Sequence, residues 1–226
     1  MDNMNKRVTI FAGHYGSGKT NVAVNYAIWL SEKHPKVSIA DLDIVNPYFR
    51  SKDSEKILSE KGIRLISSEF ANSNVDTPAL PAEAYSITAD KECCAVVDVG
   101  GDDRGALALG RFVPDILEEN NYEMYFVVNK YRPLTPDADS AIEVMREIEF
   151  ACKMSFTGIV NNSNIGEETT VDTVANSFDY AEEISAKTGL PVVMTTVDKR
   201  IYPQIKEIQK NAMPLTLYVR QSWQRG

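Results

Sequence analysis

The sequence predicts a single α/β domain, a doubly wound and mainly parallel sheet of about seven strands flanked by helices in three layers. Three observations carry this. Short β-rich apolar runs recur along the 226 residues. Several of them are apolar at nearly every position, the pattern of strands covered on both faces. The segments between them carry helical period.

The runs are Val8 to Ala12, Val37 to Ala40, Ile63 to Ile66, Ala95 to Val99, Met124 to Val128, Phe156 to Val160, and Pro191 to Met194. Val22 to Leu30 is an apolar-rich helix after the first run. Ile142, Met145, Ile148 and Cys152 fall at helix spacing, with Thr135 and Pro136 as start signals. Val171, Val174, Phe178, Ala181 and Ile184 do the same in one helix that Gly189 and Pro191 end. No internal repeat, low-complexity tract or linker interrupts the alternation, so residues 1–226 are expected to form one domain. Irregular segments follow Ala40, run from Phe70 to Ala82, and follow Val99. Open parallel sheets bind ligands at the carboxyl ends of their strands, so function is expected in those loops.

The net charge of −8 argues against broad nucleic-acid contact, which needs a positive surface. Three cysteines (Cys93, Cys94, Cys152), no C-x-x-C pair and two histidines disfavour a zinc or iron–sulfur site within one chain. The vicinal cysteines read as small core residues beside a strand. Few and odd in number, the thiols suit a reducing compartment. No apolar run approaches ~18 residues, and the polar start "MDNMNKR" is no signal peptide, so a cytoplasmic protein without an integral membrane segment is expected.

Between the first strand and its helix stands "GHYGSGKT", Gly13, His14, Tyr15, Gly16, Ser17, Gly18, Lys19 and Thr20, with Asn21 next. It matches G-x-x-x-x-G-K-[ST] in full. The glycines let the backbone wrap and aim N–H groups at an anion, and the helix presents its positive end to the same point. Lys19 then reaches the terminal phosphates and the Thr20 hydroxyl meets Mg²⁺. The metal needs acidic partners, and two strand ends offer them. "ADLD" supplies Asp41 and Asp43; "VVDVGG" supplies Asp98, followed by Gly100 and Gly101 that let the next loop approach the γ-phosphate.

In order, "GHYGSGKT", "ADLD", "VVDVGG" and "GIVNN" resemble the MinD/ParA class of P-loop ATPases (the SIMIBI class), which includes nitrogenase iron-protein-like and metallocentre-maturation ATPases. The resemblance runs from Val8 to about Ile208. It implies that Lys19 and Asp43 are catalytic, Asp43 orienting the attacking water. It implies that Asp41, Asp98 and Thr20 support Mg²⁺, that Asn161 reads adenine, and that Asp198 lies in a base-side loop, "TTVDKRIYPQI". It also implies ATP as ligand, an ATP-dependent homodimer and a client protein.

One position departs from the class. Where a signature lysine reaches across the dimer, this chain has His14, shorter and mostly neutral near pH 7. Arg50 or Arg104 could supply the missing charge. "VVNKYR" begins like the guanine-reading N-K-x-D, but Arg132 stands in place of the carboxylate and cannot accept a hydrogen bond, which favours ATP over GTP. The C-x-x-C of iron–sulfur carriers is absent. The tail "LTLYVRQSWQRG" reads as a packed strand or helix end rather than a membrane helix, and "DTPALPAEAYSI" as a partner-facing loop or a rigid connection. The leading expectation is a Mg-ATP switch that positions a cargo or inserts a metal or cofactor into a client. The alternative is a synthetase or kinase like dethiobiotin synthetase and the cobyrinic acid amide synthetases, acting on a small carboxylate.

Overall fold

The computed structural model describes residues 6–42, 52–67, 82–101 and 103–218, side chains of 52–54 and 103–104 apart. Its strands are β1 (Val8–Ala12), β2 (Val37–Asp41), β3 (Arg64–Ile66), β4 (Cys94–Asp98), β5 (Tyr122–Val128), β6 (Gly158–Asn161), β7 (Val192–Asp198) and β8 (Ala212–Leu215). They form one sheet in the order β3-β2-β4-β1-β5-β6-β7-β8, and each paired strand runs parallel to its neighbour. From β1 the chain runs out to β2 and β3, returns to set β4 between β2 and β1, and then winds the other way through β5 to β8, so the direction reverses at β1, where such sheets have a crevice.

Apolarity at every strand position has its explanation here. Ile10, Val97 and Phe126 enter one core; their neighbours Phe11, Val96 and Tyr125 enter the other. Helices α1 (Lys19–Ser31) and α2 (Lys52–Glu60) cover the second core through Val22, Tyr26 and Leu58. The opposite core takes α3 (Ser86–Ala89), α4 (Asp103–Gly110), α5 (Val113–Glu119) and α6 (Ala138–Cys152). A smaller cluster joins α7 (Val171–Ala175) and α9 (Tyr202–Ile205) to β7 and β8.

Three elements differ from the sequence expectation. Among the described residues there are eight strands where about seven were expected: β8 carries Pro214, which suits an edge strand and breaks the pattern of a central one. β7 runs four residues past Met194, because Thr195 and Thr196 are buried within it. The single helix expected around Val171 to Ile184 is two, α7 and α8 (Phe178–Thr188). Ser177 sits fully buried at the break, its hydroxyl bonded back to Val174 O at 2.6 Å. Asp137 caps α6 by accepting from Ser140 N at 2.9 Å, just past the expected start signals.

At the opposite edge of the sheet from the glycine-rich loop, Arg7 ties β1 to the segment before β4. Its guanidinium donates to Ile87 O at 2.9 Å and to Cys93 O at 3.2 Å, and it pairs with Glu119. Lys91 adds a second cation to Glu119 at 2.7 Å. The Arg7 hydrogen bond outweighs burial and holds the Glu119 carboxyl down at about 2. A lowered folded-state value stabilises the fold above the ordinary 4.5, and that contribution disappears as pH falls toward 2. Glu119→Gln is expected to lower stability at pH 7 by about 2 kcal/mol. In thermal unfolding across pH 7 to pH 2 the gap to wild type should close at the acid end; a gap that stayed constant would refute this origin.

The cysteines form no disulfide: Cys93 and Cys94 are half-buried and Cys152 is buried. Burial pushes the Cys94 and Cys152 thiols up, which keeps them unreactive. Among the described residues no helix is long and apolar enough to cross a membrane.

Candidate functional site

The glycine-rich loop joins β1 to α1 at the carboxyl edge of the sheet, and its geometry requires its glycines. Gly16 and Gly18 hold φ of +80° and +84°, left-handed values that favour glycine. A β-carbon on Gly13 would come within 2.4 Å of Val127 O, and one on Gly18 within 2.4 Å of the Asn162 amide. The loop closes on itself through Ser17 N to His14 O at 3.1 Å. The Ser17 hydroxyl is buried with no hydrogen-bond partner among the described residues. Lys19 is 5% exposed, drawn down at the start of α1.

Two carboxylates meet this loop. Asp41 ends β2 and Asp98 ends β4, and strand register sets them side by side. β4 also pairs with β1, which feeds the loop. The Thr20 hydroxyl donates to Asp98 Oδ2 at 2.6 Å, and both carboxylates are buried. After β4 the chain turns back over the loop. A β-carbon on Gly101 would lie 2.7 Å from Tyr15 N and 3.1 Å from Lys19 Nζ, so this segment passes close over the glycine-rich loop. Among the described residues no three His, Cys, Asp or Glu side chains cluster as a metal cage. The hard oxygens of Thr20, Asp98 and Asp41 instead suit Mg²⁺, which takes few protein ligands and completes its shell with waters and phosphate oxygens.

His14 is half-buried, its Nδ1 2.8 Å from Tyr15 O. A carbonyl only accepts, so Nδ1 carries the proton.

On the other side of the loop lies a cavity of about 290 Å³, bounded by Gly16, Gly18, Asn21, Tyr131, Arg132, Asn162 and Asp198, with Val197, Leu215 and Leu217 as apolar wall. Asn21 accepts from Tyr218 N at 3.1 Å, and Asn25 bonds both N and O of Thr216. These contacts fold residues 216–218 along α1. Asp198 accepts from Arg200 N at 2.8 Å and Nε at 2.9 Å. Burial alone would raise its carboxyl, but the Arg200 hydrogen bonds and charge hold it below the ordinary value, so it stands as an anion.

Asn161, expected to read adenine, is absent from this wall. Its amide donates to Ser177 Oγ at 2.9 Å, a bond that anchors the break between α7 and α8. The neighbouring Asn162 faces the cavity instead. It donates to Ser17 O at 2.6 Å and accepts from Thr196 Oγ1 at 2.5 Å, bracing the glycine-rich loop against β7. The sequence "VNN" offers both asparagines, and only the pleat decides between them. Arg132 over Gly16 had no local signal at all. Asp43 and Arg50 lie outside the described residues, as does the Arg104 side chain, residues 76–81 of the proline-containing loop, and the tail from 219 on.

No family model matches the chain, and no curated protein matches it. Among solved structures it is similar to cell division protein FtsY from Thermotoga maritima, at TM-score 0.57 and 19% identity, over 86% of this chain and 63% of that one. Chloroplast FtsY from Physcomitrella patens follows at TM-score 0.54 and 16% identity, over 85% and 59%. Signal recognition particle receptor FtsY from Elizabethkingia anophelis in complex with GDP gives TM-score 0.51 and 16% identity, over 86% and 58%. The chain spans about three-fifths of the length of these structures. At such identity the likeness establishes the fold alone, a parallel α/β sheet flanked by helices.

Proposed function

We propose that the chain is a Mg-dependent nucleoside triphosphatase acting as a nucleotide switch, with ATP as its substrate. The observation that carries this is the Thr20–Asp98 hydrogen bond at the foot of a glycine-rich loop. Thr20 gives its proton to Asp98 and keeps its lone pairs for a metal, so Thr20 and Asp98, with Asp41 beside them, would hold Mg²⁺. Bound there, Mg²⁺ neutralises phosphate charge. Loop N–H groups cradle the phosphates, Lys19 draws charge from the γ-phosphate, and Asp43 orients the attacking water. Nucleotide loss and gain would rearrange the segments after β2 and β4, and two chains would associate around bound nucleotide to act on a client.

ATP is favoured because the fourth position of Asn129-Lys130-Tyr131-Arg132 holds a cation where a guanine-reading carboxylate would stand. GTP is the second reading. GDP occupies the Elizabethkingia structure, and the Asp198 anion could accept from guanine N–H groups. A synthetase reading draws on a second cavity of about 330 Å³ beside His14, Gly101 and Leu134, placed to admit an acceptor.

Phosphate release from Mg-ATP and Mg-GTP over a wide protein concentration range, with Asp43→Ala as control, tests this. ATP turnover per chain that climbs with concentration and is lost in the variant supports the dimeric ATP switch. Preference for GTP overturns the ATP assignment. Release from neither nucleotide until a small carboxylate is added overturns the switch and supports the synthetase.

A further inference from the structure

We propose that Arg132 is a phosphate-binding residue that acts within its own chain, meeting the α- and β-phosphates of the nucleotide from the cavity side of the loop; this rests on the nucleotide reading above. Gly16 leaves room for it. From the point where a Gly16 β-carbon would stand, Arg132 Nε is 3.6 Å away, Cδ 3.7 Å and Cζ 3.9 Å. The guanidinium therefore lies along the loop whose N–H groups cradle phosphate. Its Nε is buried without a hydrogen-bond partner among the described residues. A buried donor left unsatisfied is costly, so its retention points to an acceptor that arrives with the ligand.

The charge pattern agrees. Arg7 and Arg200 each have a carboxylate partner, whereas Arg132 has none among the described residues. The cavity it lines is shared with Gly16, Gly18 and Asp198. Lys19 serves the opposite side, against Gly101. His14 lines the other cavity, beside Gly101, so it does not share the Arg132 side of the loop. A planar guanidinium suits paired phosphate oxygens better than an imidazole does.

The turn that carries Arg132 is already built. Asn129, 1% exposed, accepts from Tyr131 N at 3.0 Å and donates to Asn164 O at 3.2 Å. Tyr131 OH donates to Thr173 O at 2.6 Å, and Arg132 O accepts from Thr135 N at 3.1 Å. Little ordering remains to be done when a phosphate enters.

The test is competitive titration of wild type, Arg132→Gln and Arg132→Lys with ADP and with adenosine, in Mg²⁺. Arg132→Gln should weaken ADP by roughly 10- to 100-fold, Arg132→Lys by less, and neither should change adenosine affinity. The apo melting temperature of Arg132→Gln should hold or rise. ADP affinity unchanged in Arg132→Gln overturns the proposal. So does an equal loss for ADP and adenosine, which would assign Arg132 to the base. A wild-type chain that binds neither ADP nor GDP overturns the nucleotide reading itself, and this one with it.

Discussion

Lys19→Met is expected to abolish nucleotide binding while leaving the fold intact or stabler. The ammonium is 5% exposed at the first turn of α1, close to where Gly101 crosses the loop. Holding a cation there costs desolvation, and replacing such a charge by an apolar side chain of similar length is commonly neutral or stabilising. The charge serves the phosphates instead. Removing one preorganised donor from such a site costs at least about 100-fold in transition-state stabilisation. Apo thermal unfolding should show an unchanged or raised midpoint, and added Mg-ATP should no longer raise it. A variant that lost its fold would place Lys19 in the structure; one that bound ATP normally would remove it from the site.

Asp98→Asn is expected to separate metal dependence from nucleotide binding. The amide oxygen can still accept from Thr20, whose bond to Asp98 is 2.6 Å in the native chain, so the local packing survives. The charge is lost. Without Mg²⁺ a buried carboxylate repels phosphate, so the variant should bind ATP as well as wild type in EDTA, or better. With Mg²⁺ the order reverses, because Mg²⁺ binds through carboxylates plus substrate phosphates. Turnover should fall about 100-fold. Titrations in EDTA and in Mg²⁺ read the two effects separately. An undiminished Mg²⁺ enhancement in Asp98→Asn would take Asp98 out of the metal site.

The glycine-rich corner was legible because its chemistry is local. Three glycines, a lysine and a threonine in eight residues mark a tight loop between a strand and a helix, and Gly16 and Gly18 at positive φ form it. Asp41 and Asp98 were legible as carboxylates at strand ends, and sheet register then set them side by side. What stayed hidden depends on long-range contact. The pleat turns Asn162 rather than Asn161 to the cavity, and Ser177, 16 residues on, takes the Asn161 amide. Thr195 and Thr196 read as the start of the base-side loop after the last run, yet both are buried and lie in β7. Pro214 disguised β8, since a proline is tolerated only where the sheet has an edge. Arg132 read only as a defect in a guanine motif. Its place over Gly16, well over a hundred residues earlier in the chain, is fixed by the pairing of β1 with β5.

The account stands on the claim that this loop holds a nucleoside triphosphate with Mg²⁺. An equilibrium titration of the purified chain with Mg-ATP and Mg-GTP, beside Lys19→Met, tests it most directly. The account predicts saturable one-to-one binding of Mg-ATP, weaker binding without Mg²⁺, and loss of both in the variant. No binding of either nucleotide up to about 1 mM, where association is worth only about −4 kcal/mol, would contradict it.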